Sequence, residues 1–388
     1  MEMEHKMKIL IGADIVPTKN NKKLFENGEK EELIGKDLIQ IMNKASYIIM
    51  NLEVPLIDNE APIKKCGPNL IAGTDTIKGL KLINPCFYTL ANNHILDQGE
   101  EGLKSTCKIL DDNNIAYAGV GKNINKMKKF HIEEIGNIRL GIYCCAEHEF
   151  SIATKNRMGA NPFDPLYSFD DVKELKEKCD KIVVLYHGGK EEYRYPSPNL
   201  RRIFQKFAEV GADYIIAQHT HCIGCMEKYN NSYLIYGQGN FLFDNSNSEY
   251  WQTSLLIEID IEKENNCRFI PIHKNGVSVR LAKPNEKNNI MKDFKRRSKE
   301  ILEEDFVEKK YQEFVNGIKF NYLNICGGRI CNNIIFRIIN KLFGHTLIDL
   351  IYVRKECIKI KNIVECEAHR EVLIEILNKK IYEDNDER

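Results

Sequence analysis

Five short apolar runs, each stopping at a residue that can hold a proton or a cation, constrain the fold most. KILIG (8–12) leads to Asp14, SYIIM (46–50) to NLE, and CFYTL (86–90) to ANNH; KIVVLY (181–186) leads to HGG, and DYIIA (213–217) to QHTH. Each run has strand length and is rich in Ile, Val or Tyr. Helical patterns lie between them, as in EEGLKSTCKILDDNN (100–114), FDDVKELKEKCD (169–180) and PNLRRIFQKFAEVG (198–211). The last collects Leu200, Ile203, Phe204, Phe207, Ala208 and Val210 at helical spacing, with Gly211 as its stop. Strands alternating with helices predict an α/β architecture. In such folds the functional groups gather beyond the carboxyl ends of the strands.

From about residue 227 the pattern turns to strand alone, with a hairpin expected around Asn230-Asn231 and a turn at Asn84-Pro85 upstream. After Pro284 the composition becomes Lys- and Glu-rich and helical. The expected organisation is therefore one domain over 1–284 and a helical region over 285–388, fraying at the final YEDNDER. Residues 332–353 form the most apolar window, but Arg337, Lys341, His345 and Asp349 interrupt it. It reads as an amphipathic helix packed on its own domain rather than a span of ~20 apolar residues. No transmembrane segment is expected, which leaves room for peripheral association with membrane biosynthetic machinery.

Lys plus Arg number 56 and Asp plus Glu number 56, which removes the basic surplus expected of a nucleic-acid binder. The opening MEMEHKMKILIGAD has no apolar signal core, and 13 cysteines scattered along the chain read as reduced thiols, so the expected location is cytoplasmic.

The strand ends supply Asp14, Glu53, Asn93, His94, His187, His219 and His221. This oxygen and nitrogen set, without thiolate, suits Mn, Fe or Zn at a two-metal or single-metal site. His219 and His221 stand two apart, and in an extended segment such residues face the same side. Cys222 and Cys225 lack a second thiol pair at zinc spacing and read as packing groups. GQGNF lies between strand-like runs, so Gly237 and Gly239 are expected to let backbone approach the site rather than to cradle phosphate. Glu192, Tyr193 and Asn240 are the candidate substrate-binding residues.

The order Asp, acidic residue, Asn-His, His, His-x-His resembles the calcineurin-like metallophosphoesterase pattern. More closely, GADIVPT, NLEVPL, KKCGPNL, LANNHILDQGEEGL, HGGKEEYRYPSP, GADYIIAQHTHCIGCMEKY and IYGQGNFLFD together resemble the CapA family of capsule and poly-γ-glutamate synthesis proteins. The resemblance covers about residues 8 to 244. It implies a metallophosphatase-like four-layer αββα sandwich, to which the C-terminal helical region is an appendage. It also implies Asp14, Glu53, Asn93, His187, His219 and His221 as metal ligands, His94 as proton donor and Asp97 as the group that orients His94. Three positions depart from the superfamily pattern. Val16 stands where a ligand histidine is usual, Glu53 where an aspartate is usual, and Asn92 where a glycine is usual.

The function implied is a metal-dependent, metallophosphoesterase-like hydrolase in the synthesis or attachment of a capsule polymer, poly-γ-glutamate or polysaccharide. Metal-activated water would attack a phosphoester, so the partner is a polymer precursor or other phosphoester substrate and no nucleic acid. A non-catalytic polymer-binding or assembly protein on the same fold is the first alternative. A nucleotide phosphodiesterase is the second.

Overall fold

The computed structural model describes residues 7–83, 87–263 and 266–382. The expected Asn84-Pro85 turn, and YEDNDER beyond Tyr382, lie outside these residues. The chain forms two compact units, Met1–Glu308 and Lys309–Arg388.

The first unit is built on two large sheets. In the first sheet, Lys8–Ile15, Tyr47–Leu52, Phe87–Thr89 and Ala116–Ala118 run parallel in that spatial order. Thr253–Asp260, Cys267–Asn275 and Ser278–Leu281 extend it antiparallel on the other side of Lys8–Ile15. In the second sheet, Ile138–Ala146, Lys181–His187, Tyr214–Gln218 and Ser232–Ile235 run parallel, flanked by Phe130–Ile135 and Met226–Tyr229. The hairpin joining Met226–Tyr229 to Ser232–Ile235 turns through Asn230 and Asn231, both at positive φ (46° and 65°). Asparagine tolerates that left-handed backbone better than most residues, so the expected hairpin forms where NN stands.

Alternation along the strands sets the layers. Val183 and Leu185 point into a core shared with Ile9, Ile11 and Ile49 of the first sheet. Ile182, Val184 and Tyr186 point the other way, against Phe204 and Phe207 of the helix Pro198–Glu209. That helix starts on Pro198, and the Ser197 hydroxyl accepts a hydrogen bond from the Leu200 amide (3.1 Å). Phe25, Leu38, Leu80 and Leu103, from four helices, cover the first sheet. Helices, sheet, sheet and helices make the four-layer αββα sandwich that the family resemblance implied, within the α/β class that the strand and helix order predicted. The parallel strands are buried on both faces, which explains their unbroken apolar runs.

The helix Pro284–Glu300, placed by sequence in the C-terminal region, packs on this first unit. Phe294 meets Phe269 of the strand Cys267–Asn275 with ring centroids 4.7 Å apart. The Arg297 side chain donates to the Gly224 carbonyl (2.8 Å). The compact unit accordingly runs to Glu308 and not only to 284. The second unit is helical, including Ile334–Leu342, Thr346–Ile351, Arg354–Glu365 and Glu367–Tyr382. Among the described residues no helix is long and apolar enough to cross a membrane.

Candidate metal centre

Parallel pairing puts the carboxyl ends of five strands at one pole of the sandwich. Asp14 aligns with Asn51 across the first sheet, and His187 aligns with Gln218 across the second. Glu53 follows the first of these strand ends directly, and His219 follows the second. The strand Tyr214–Gln218 stops before the histidine pair, so that pair is not extended. His219 and His221 take φ of 89° and 53°, left-handed conformations that are costly for residues with a Cβ. Their rings lie 5.8 Å apart because of this turn, not because of strand alternation. Gly237 (φ 129°) allows the turn, since a Cβ there would sit 2.5 Å from the Thr220 hydroxyl.

The ligand candidates converge. Glu53, His187 and His219 present donor atoms within 4.8 Å of one another, and so do Asp14, Glu53 and His221. Glu53 belongs to both groups, the position a bridging carboxylate would take. Its Oε1 is 3.2 Å from His187 Nε2, and the same nitrogen lies 3.0 Å from Asn93 Oδ1. Asp14 Oδ1 accepts from the Asn51 side-chain amide (2.8 Å), and its Oδ2 lies 3.6 Å from His221 Nδ1. His221 Nδ1 donates to Asn240 Oδ1 (2.9 Å).

Several polar atoms in this buried pole are left without hydrogen bonds. Neither carboxylate oxygen of Glu53 accepts a hydrogen bond, and His219 Nδ1 makes none. An unpaired buried carboxylate costs several kcal/mol unless protonated or bound to a cation. Burial, then the charge of Asp14, pushes the Glu53 carboxyl well above its ordinary range. Burial also opposes the charge on Asp14, but its bond to His221 and the neighbouring imidazoles hold it below the ordinary value. Burial lowers His187 to about 4, and burial together with His187 and His221 lowers His219 further. Burial works against the charge of His221, yet Asp14 and Glu53 raise it to about 9. His187 and His219, held neutral, are donors ready for a divalent cation, and binding one would displace the protons that the raised His221 and Glu53 keep. The residues therefore fit the implied metal. Val16, buried and apolar, contributes no donor.

His94 sits at the rim, its side chain 12% exposed. Its Nδ1 lies 2.5 Å from Asp97 Oδ2, so Asp97 accepts the Nδ1 proton and leaves Nε2 for chemistry. Sequence reading missed the residues that support this pair. Lys65 forms an ion pair with Asp97 and stands 3.2 Å from His94 Nδ1. Asn92, the residue in the glycine position, donates to Asn51 Oδ1 (3.1 Å) and to the Leu52 carbonyl (2.8 Å), and accepts from the His94 amide (3.1 Å). It ties the His94 turn to the strand carrying Asn51. The signal for Lys65 was its place in KKCGPNL, but nothing in that stretch foretells contact with a residue 32 positions later.

Of the candidate substrate-binding residues, Asn240 is in the pole, with its Nδ2 lacking a hydrogen-bond partner. Glu192 is exposed and Tyr193 buried, and neither belongs to a donor group among the described residues. Their neighbour Glu191 does belong to one. It forms a third donor group with His219 and His221, its Oε1 3.9 Å from His219 Nε2. Glu192 turns the loop with φ 58° and bonds through its amide to the Thr220 carbonyl (2.9 Å), and the preceding Glu191 is the carboxylate that reaches the histidines. Cys222 and Cys225 are fully buried, and burial raises the Cys222 thiol to about 11 and Cys225 further. Thiols so poorly ionised act as packing groups.

Residues 8–245 match the family described as bacterial capsule synthesis protein PGA_cap. The chain is 26% identical over 248 residues to the capsule biosynthesis protein CapA of Bacillus anthracis, covering 62% of this chain and 60% of that one. It is 28% identical over 244 residues to the PGA biosynthesis protein CapA of Bacillus subtilis (strain 168), covering 60% and 63%. The chain thus spans less than two thirds of the length of these relatives. A solved structure of a novel phosphatase from Mycoplasma pneumoniae is similar at a TM-score of 0.43 and 16% identity, over 73% of this chain and 96% of that one.

Proposed function

The chain belongs to the bacterial capsule synthesis protein family PGA_cap, and from that premise we propose that it is a metal-dependent hydrolase acting on a phosphoester during synthesis or attachment of a capsule polymer. The observation that carries this reading is the buried Glu53 carboxylate, without hydrogen-bond donors and common to two donor groups. Asp14, Glu53 and His221 would hold one cation, and Glu53, Asn93, His187 and His219 a second. Bound there, a divalent cation supplies Lewis acidity toward a phosphoryl oxygen and a more acidic water.

The remaining work falls to the chain's own groups. Asn240 Nδ2, without a partner, would donate to a substrate oxygen. His94 would pass its Nε2 proton to the leaving oxygen while Asp97 holds the ring through Nδ1. Lys65 would offset the Asp97 charge and fix the carboxylate between the two. The non-catalytic polymer-binding reading draws its support from Val16, which leaves the first cation position with three protein donors and a weaker hold.

The test begins with metal content after purification without chelator. The single tryptophan, Trp251, lies with its ring 4.3 Å from that of His221, so its fluorescence should report cation binding directly. Turnover is then measured on phosphomonoesters, phosphodiesters, poly-γ-glutamate and capsule fragments with Mn²⁺. Metal binding with turnover supports the hydrolase. Tight polymer binding by an inert protein supports the alternative. No metal and no fluorescence change after added Mn²⁺ or Zn²⁺ refutes the ligand set.

A further inference from the structure

In the second unit, the helix Ile334–Leu342 is amphipathic in the reverse of the usual sense. Ile334, Ile335, Ile338 and Leu342 share one face and are 65%, 63%, 55% and 79% exposed. The opposite face carries Asn340, which is 1% exposed and accepts from the Ile348 amide (3.2 Å). The helix turns its apolar stripe to solvent and its amide inward. The sequence expectation was a single helix over this window packed on its own domain. The structure instead breaks the window at Gly344 and His345, both at positive φ, and leaves the stripe uncovered.

Charge states what the stripe is suited to meet. Residues 326–355 contain Arg329, Arg337, Lys341, Arg354 and Lys355 against one acidic residue, Asp349. Arg337 and Lys341 flank the stripe on the same helix and form no ion pair among the described residues. Long basic side chains beside an aliphatic face can lay their stems on it and lift their charges to the level of phosphate headgroups. The stripe itself offers no hydrogen-bonding groups that a specific protein interface would use. Among the described residues no helix is long and apolar enough to cross a membrane, so the face would lie on the surface.

We propose that this basic, apolar face of the second unit docks on the surface of an anionic phospholipid bilayer. The proposal is independent of the metal site.

The experiment is co-sedimentation of the full chain with phosphatidylglycerol vesicles and with phosphatidylcholine vesicles, at low and high salt. Binding should favour phosphatidylglycerol and weaken with salt. Arg337→Gln with Lys341→Gln should reduce affinity on the order of 10- to 30-fold. Ile335→Ser with Ile338→Ser should reduce it to background while circular dichroism and the thermal midpoint stay unchanged, because those side chains face solvent. The proposal is overturned if neither vesicle binds, if the isoleucine variant binds as well as the parent, or if that variant loses its fold. It is equally overturned if the chain ignores vesicles but self-associates through these isoleucines.

Discussion

Replacing Glu53 by glutamine should stabilise the metal-free protein and remove most of its stabilisation by cation. The carboxylate is 0% exposed, accepts no hydrogen bond and sits beside Asp14. Leaving such a group unsatisfied costs about 1–3 kcal/mol. In a unit of this size that corresponds to roughly 2–6 °C in thermal midpoint. Differential scanning calorimetry in chelator should therefore place Glu53→Gln above the parent by that interval. The difference has a definite pH dependence. Burial and Asp14 raise the folded carboxyl above its ordinary value of 4.5. The folded state then keeps a proton that the unfolded chain surrenders, so the parent loses stability as pH rises above 4.5 and the variant's advantage grows. At a cation concentration ~1,000 times the dissociation constant, the parent gains about 4 kcal/mol. A variant binding 100-fold more weakly gains only about 1.4 kcal/mol. A variant less stable than the parent in chelator, or equal cation increments for both, would refute the reasoning that the site is kept unstable for a metal.

His94→Ala should retain its metal and lose hydrolysis by ~10²–10⁴-fold, whereas His187→Ala should lose metal, the Trp251 fluorescence response and turnover together. Loss of metal by His94→Ala would make that residue a ligand instead. Glu191→Gln should weaken cation binding by roughly 10–100-fold in calorimetric titration, the usual scale for a carboxylate behind a ligating histidine; unchanged affinity would return Glu191 to the solvent. Far from the site, Arg280 grips Glu286 through two bonds (2.7 and 2.8 Å) and, with the Lys283 amide, holds its carboxyl at about 2 instead of 4.5. That contribution is present above pH 4.5 and lost as pH falls toward 2, so Glu286→Gln should flatten the acid-unfolding slope in this window and leave the slope above it alone.

The sequence by itself determined an α/β architecture and most of the pole; the two-sheet sandwich followed only from the family resemblance. Strand-length apolar runs separated by amphipathic helices admit few topologies, and in a parallel sheet every run delivers its last residue to the same end. Asp14, Glu53, Asn93, His187, His219 and His221 could thus be gathered from their positions after the strands, before any distance was known. The break of the window at Gly344 and His345 and the direction in which its apolar stripe points could not, because periodicity shows that a face exists and not what covers it. Nor could the supporting contacts. Lys65 reaches Asp97 from a loop, Asn92 joins a turn to a neighbouring strand, and Glu191 meets His219 while its neighbour Glu192 does not. The last depends on backbone turns, with φ 58° at Glu192 and 89° at His219, that only the closed tertiary structure imposes on residues which alone would avoid them.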